Sequence, residues 1–305
     1  MPNFFIVGAQ KAGTTSLYHY LNQHPQVYMS PIKEPFFFDH EIDSKGEVVR
    51  REFEGHRQPP RFTNIEEYST LFEGVRGEKA IGEATPLYIY APGTAERIER
   101  YVPGAKSIAL LRNPADRAYS AFLYALRMGV EPLTDFAQAL REEPFRMRNR
   151  WHYIFHYRSR GLYYQQLKRY HEVFGRERLG VWLYEDMRED PAGVAQSVFR
   201  FLEVDDTFTS DTSSRYNPAG VPASQSARAA MRATNKAVWG LRKFLAPTSS
   251  ILPLAFKMRR AVLSRVLTEP PPIDPELREE LVAGYKEDIL RLQDLIGRDL
   301  SMWLR

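Results

Sequence analysis

Short unbroken apolar runs alternate along this chain with longer segments in which apolar residues recur every three or four positions. Asn3-Phe-Phe-Ile-Val7 is too short for a helix and ends at Gly8, so it reads as a buried strand. Lys106-Ser-Ile-Ala-Leu-Leu111 and Leu179-Gly-Val-Trp-Leu-Tyr184 have the same character, and Lys79-Ala-Ile-Gly82 is a fourth candidate. A helical pattern follows each of the first three. Leu17, Tyr20 and Leu21 share a face of a helix that Thr14 or Thr15 would cap and that ends before His24-Pro25. The other two helices open near Pro114 and Pro191, where proline's missing N–H is no loss. Leu277, Leu281, Tyr285, Ile289, Leu292 and Ile296 mark the stretch from Pro275 to Leu295 as a packing helix. Gly, Pro and charge mark loops between Asp39 and Pro60, at Pro253 and at Glu269-Pro-Pro-Pro272.

Strands alternating with helices predict an α/β fold: a mostly parallel central sheet with helices on both faces and ligands at the carboxyl ends of the strands. A length of 305 residues, 43% of them hydrophobic, suits a single domain, 1–305. No stretch reaches about 18 uninterrupted apolar residues, and the first residues run straight into a strand, so the expectation is a soluble, cytoplasmic protein. Cysteine is absent, which removes disulfides and thiolate metal sites.

The strongest chemical signal is Gly8-Ala-Gln-Lys-Ala-Gly-Thr-Thr-Ser16. A strand running through a Gly-bounded loop into a helix offers successive backbone N–H groups and the positive helix end to an anion, most naturally a phosphate. Gly8 and Gly13 have the spacing of a nucleotide-triphosphate loop, but that motif places Lys after the second Gly, where this chain has Thr14; its lysine is Lys11. ATPases and GTPases also need an acidic residue ending a second strand to hold Mg²⁺. Here that strand ends in Arg112, which points to group transfer without a metal. Glu185 and Asp186 are an alternative magnesium-binding strand end.

The segment Gln10-Lys-Ala-Gly-Thr-Thr-Ser16 resembles the 5′-phosphosulfate loop of the PAPS-dependent sulfotransferase family, PAPS being the 3′-phosphoadenosine phosphosulfate donor. The resemblance implies a nucleotide-loop type of sulfotransferase fold, PAPS as co-substrate with PAP as product, and no metal. It implies donor contacts from Gln10, Lys11, Ala12, Gly13, Thr14, Thr15 and Ser16. Leu111-Arg-Asn-Pro-Ala-Asp-Arg-Ala-Tyr-Ser120 resembles the family's 3′-phosphate motif, in which Arg112 supplies a bidentate fork and Ser120 a neutral donor. Tyr184-Glu-Asp-Met-Arg-Glu-Asp-Pro191 resembles a third segment, whose tyrosine lies against the nucleotide.

Sulfuryl transfer to a hydroxyl or amine needs a base to take the acceptor's proton. Glu34, in Ser30-Pro-Ile-Lys-Glu-Pro-Phe-Phe-Phe-Asp39, is the candidate, with three aromatics to exclude water; the segment resembles the glutamate-bearing loop of glycan-type and bacterial sulfotransferases. An ion pair with Lys33, with the phenylalanines in the core, is the structural alternative. Catalysis is thus assigned to Glu34 and Lys11. His24, His40 and His56 are rival bases without a matching motif. Relatives often carry lysine where Gly82-Glu-Ala-Thr-Pro86 has Ala84, and Glu83 either binds acceptor or caps a turn.

Net charge is +4 but unevenly placed: Thr212 to Thr268 holds no Asp or Glu, while Arg and Lys recur from Arg215 to Arg265 among Trp239, Phe244 and Phe256. Roughly 212–268 fits a basic, helical lid on the acceptor side, a peripheral membrane contact, or helices packed with a solvated basic face. Arg215-Tyr-Asn-Pro-Ala-Gly-Val-Pro-Ala-Ser224 is the counterpart of a loop that closes over the nucleotide in the family. The acceptor is left as a small molecule, glycan or lipid; nucleic acid is not expected, because a basic face alone carries no specificity. The rival readings are a nucleotide-triphosphate kinase or NTPase, which magnesium-dependent ATP turnover would reveal, and a non-catalytic nucleotide- or lipid-binding module.

Overall fold

The computed structural model describes residues 1–43, 45–49, 62–214, 220–222, 229, 233 and 267–305. Its centre is a five-stranded, all-parallel sheet. In chain order the strands are β1 (Phe4–Gly8), β2 (Val27–Met29), β5 (Ala80–Ala84), β6 (Lys106–Leu111) and β7 (Leu179–Leu183). Two short residue pairs, β3 (Glu41–Ile42) and β4 (Val48–Val49), form an antiparallel hairpin after β2. The spatial order is β2-β5-β1-β6-β7. β1 occupies the middle because it is apolar on both faces, with Phe4, Phe5, Ile6 and Val7 fully buried, as a doubly covered parallel strand requires.

The order of the strands decides where a ligand can sit. From β1 the chain passes through α1 (Thr14–Leu21) to β2 on one side, whereas from β5 it passes through α3 (Thr94–Tyr101) across β1 to β6 on the other. Right-handed crossovers in opposite directions put their helices on opposite faces. The carboxyl ends of β1 and β6 are therefore neighbours whose following segments diverge, which opens a crevice between them.

Local chemistry fixes the helix starts. α4 (Pro114–Arg127) follows β6; Asn113 caps it by accepting from the Ala115 and Asp116 amides, and Pro114 stands at its first position. Pro191 likewise opens α8 (Pro191–Phe201), after the short α7 (Tyr184–Glu189). The last helix, α9 (Pro275–Ile296), buries Leu281, Tyr285, Ile289 and Leu292, the stripe read from the sequence. It packs on α6 (Tyr163–Phe174) and α4.

Three expectations change in detail. Tyr184 is the first residue of α7 and not the last of β7. α1 has Gly13 at its cap and no side-chain capping bond, so neither Thr14 nor Thr15 closes it. In the basic stretch, β8 (Val221–Pro222) and β9 (Leu267–Thr268) pair antiparallel, and β8 touches α4. The two ends of that stretch are thus joined beside α4, where Tyr119 also donates to Pro271 O at 2.8 Å; most of the stretch, and all of Arg215–Ser224 except 220–222, lies outside the described residues.

Gly82 of β5 lies opposite Phe4 of β1, and any Cβ there would overlap the Phe4 ring. The fully buried ring cannot move without disturbing the central strand. Gly82→Ala is expected to destabilise the fold by about 1–3 kcal/mol, read as a lower urea midpoint with unchanged slope.

Candidate functional site

Two loops build the site. The Ala9 amide donates to Leu110 O at 2.7 Å, which sews the start of the first loop to the end of β6. The loop then turns through Lys11 (φ 74) and Gly13 (φ 92), both left-handed. At Gly13 a side chain is excluded twice over: by the backbone, and by Met187, Tyr184 and Leu110, the last two at 3.1 and 3.4 Å from where a Cβ would stand. The first intrahelical bond of α1 runs from Leu17 N to Gly13 O. The first-turn amides of Thr14, Thr15 and Ser16 thus have no acceptor within the helix. With no acidic residue in that turn, the helix start suits an anion.

Lys11 is the central cation. Its Nζ lies 4.8 Å from the centre of the Tyr124 ring, and its carbonyl accepts from Arg112 Nη1 at 3.3 Å. Burial, then the Arg127 and Arg112 guanidiniums, hold its pKa down to about 7, with partial opposition from the Glu34 carboxylate. Arg112 leaves β6 with its guanidinium 4.8 Å from the centre of the Tyr184 ring, and Tyr163 donates to its carbonyl at 3.0 Å. Gln10, Lys11, Arg112 and Tyr184 are therefore brought together. Ser120 stands half-buried in the second turn of α4, and no hydrogen bond joins it to Arg112 among the described residues.

Glu34 follows β2, on a loop that hangs from β5 through the bond from Glu34 N to Ala84 O, 2.9 Å. Its carboxylate pairs with Lys33 at 2.8 Å and its side chain is 35% exposed. The ion pair considered as the structural alternative is present. Phe37 and Phe38 are fully buried and pack on Tyr68 and Tyr88. Both turn into the core, where the Tyr88 hydroxyl holds their two amides, while Glu34 stays partly exposed. Glu83, beneath them, is wholly buried.

Arg160 joins the site without any signal in the sequence pattern. It is 4% exposed and donates from Nη1 to Gln10 Oε1 at 2.8 Å. Burial and the Arg117 guanidinium disfavour its charge, and the Glu34 carboxylate favours it. No motif surrounds it in Arg158-Ser-Arg-Gly-Leu162, so only the fold reveals it. The rival bases fare differently. His24 is structural, accepting from Gln26 N at Nδ1 and bonding Asp205 O through Nε2; His40 lies beside Asp39; His56 falls outside the described residues. The acidic pair after β7 is engaged: Glu185 accepts from Asn113 N at 3.1 Å and Asp186 pairs with Arg298 at 2.7 Å.

Fold and site together define an open parallel-sheet α/β protein with a cationic anion cradle at its topological switch point. A family model described as the sulfotransferase family matches residues 2–209, and the chain belongs to that family. A sulfotransferase from Alicyclobacillus acidocaldarius, known from its crystal structure, is 35% identical, with a TM-score of 0.71 and coverage of 100% of this chain and 99% of that one. A membrane-associated sulfotransferase of Dictyostelium discoideum is 35% identical over 127 residues, 42% of this chain. A bifunctional heparan sulfate N-deacetylase/N-sulfotransferase of Caenorhabditis briggsae is 26% identical over 229 residues, 72% of this chain. The match spans 24% of the length of each of these two curated relatives.

A lysine held near pH 7 when the site is empty should take up a proton when an anion arrives, because the anion favours the charged form. At pH 8, titration with inorganic pyrophosphate in buffers of different ionisation enthalpy is expected to show uptake approaching one proton per site. Lys11→Met should abolish it; equal uptake in the variant would place the titrating group elsewhere.

Proposed function

We propose that this sulfotransferase takes its sulfuryl group from PAPS and passes it to a hydroxyl or amine, with Glu34 as general base. The observation that carries the reading is the convergence of Lys11 and Arg112 on the loop that precedes α1. The amides of Gln10 to Ser16 would cradle the 5′-phosphosulfate. Arg112, with Ser120 further along, would bind the 3′-phosphate, while Tyr184, stacked on Arg112, would lie against the nucleotide.

In the reaction the acceptor's proton passes to a Glu34 carboxylate oxygen as the acceptor oxygen or nitrogen attacks sulfur in line. The bond from sulfur to the bridging oxygen breaks, and the electron pair leaves with PAP. Lys11 and the loop amides stabilise the charge that develops there. For the attack, Glu34 must exchange its ion pair with Lys33 for the acceptor, a short side-chain rotation at a partly exposed position. A kinase or NTPase reading is less favoured, since β6 delivers Arg112 and the nearby acids Glu185 and Asp186 are held by Asn113 and Arg298. A small-molecule, glycan or lipid acceptor fits a family whose members here include one named for heparan sulfate and one named as membrane-associated. The basic stretch, its ends joined beside α4, would cover the acceptor or a membrane surface.

Glu34→Gln is expected to reduce PAP release from PAPS by roughly 10²-fold or more across a panel of phenol, sugar and amino-sugar acceptors, while calorimetry finds the same PAP affinity as wild type. Unchanged turnover would remove Glu34 as the base. PAP should bind at least about tenfold tighter than AMP, since a charge-assisted bond to Arg112 is worth about 1.5–3 kcal/mol. Equal affinities would sink the assignment of Arg112 to the 3′-phosphate.

A further inference from the structure

The loop that carries Glu34 is held by hydrogen bonds whose origin lies in the core. Both Phe37 N and Phe38 N donate to the Tyr88 hydroxyl, at 3.0 and 3.1 Å. Two donors occupy both lone pairs of that oxygen, so its own proton must be given elsewhere. Glu83 and Thr85 are the acceptors in reach. Glu83 also receives Tyr68 Oη–H at 3.1 Å on Oε1 and Thr85 Oγ1–H at 3.0 Å on Oε2. A single fully buried carboxyl group thus ties together α2 (Ile65–Ser69), the turn after β5 and, through Tyr88, the Glu34 loop.

We propose that Glu83 is a positioning residue, whose buried carboxyl group braces the loop 30–39 through Tyr88 and so keeps Glu34 within reach of Lys11. The proposal rests on Glu34 being the base. Glu34 and Phe36 both have left-handed backbones, at φ 58 and 54, with Pro35 between them. Such a segment persists only where its surroundings over-determine it, and here the anchors are Ala84 O on one side and Tyr88 Oη on the other.

Burial and Asp39 favour the proton of Glu83, whereas the hydroxyls that donate to it favour the anion. Tyr68 comes from α2, Thr85 and Tyr88 from the turn after β5, and Tyr170 from α6. Asp39, from the loop itself, adds negative charge. Arg97 of α3 donates to Phe38 O at 2.7 Å. Burial is the leading cause that pushes Glu83 up to about 8, and hydroxyl donors only partly offset it. The folded-state value lies above the ordinary carboxylate value of 4.5. Stability therefore falls as pH rises from about 4.5 towards 8, and above 8 the folded protein holds a buried anion next to Asp39.

Hydrogen exchange of the PAP-bound protein at pH 6.5 tests the brace. Wild type is expected to protect the Phe37 and Phe38 amides, with β1 protected in every variant. Glu83→Gln, which keeps an acceptor oxygen, should retain the protection; Glu83→Ala and Tyr88→Phe should lose it at least tenfold. In PAPS turnover, with water as acceptor if no other serves, Glu83→Ala should lower kcat at least tenfold at unchanged PAP affinity, and Glu83→Gln should restore it to within threefold. A loss of protection in Glu83→Gln as large as in Glu83→Ala, or full protection and kcat in both Glu83→Ala and Tyr88→Phe, would overturn the proposal. Glu34→Gln should leave exchange unchanged, so a failure of the base assignment is told apart from a failure of the brace.

Discussion

The cradle depends on a side chain that is missing. Gly13 turns left-handed where Met187, Tyr184 and Leu110 close in on its Cα, and this contact lets the start of α7 pack directly on the first loop. Tyr184 then lies under Arg112, and Arg112 reaches the Lys11 carbonyl. A Cβ at position 13 would strain the left-handed turn and press on Tyr184, the ring on which Arg112 rests. The geometry of an anion site is thus set here by packing between apolar and aromatic surfaces, with the charges mounted on it afterwards.

Those charges are unfavourable to one another until something negative joins them. Lys11 feels Arg127, Arg112 and Lys33 as repulsion, and Glu34 is the carboxylate that opposes them. Arg160, pressed on Gln10 and near Arg117, adds to the imbalance. An incoming polyanion therefore relieves electrostatic repulsion at this site, and the same repulsion together with burial holds the Lys11 pKa down to about 7.

What the sequence disclosed follows from what kind of signal each residue carries. β1, β6 and β7 were legible because strands buried on both faces are short continuous apolar runs, and α9 because its stripe repeats over six positions. The strand, loop and helix start around Gly8 to Ser16 were legible because a turn with a left-handed position needs its glycine at a set spacing. Arg160 was not, since its role comes from a three-dimensional approach to Gln10 across 150 residues. The phenylalanines after Glu34 were misleading for a related reason. A run of aromatics says that something is buried, and only the turn of the loop decides that Phe37 and Phe38 cover Tyr68 and Tyr88 while Glu34 stays at the rim.

The departure at Ala84 becomes intelligible in this setting. Ala84 is completely buried, and its carbonyl holds the Glu34 amide, so the end of β5 contributes backbone to the site and no charge. Where relatives often bring a lysine to that strand end, the cations near Glu34 here are Lys33, Lys11 and Arg160, from two other loops and a 3₁₀ turn. Two left-handed residues cost about 1–3 kcal/mol each, and the loop offsets that by burying Phe37 and Phe38. The position of Glu34 therefore depends on the core beneath it, and a change in the packing around Glu83 would reach the Glu34 loop through Tyr88.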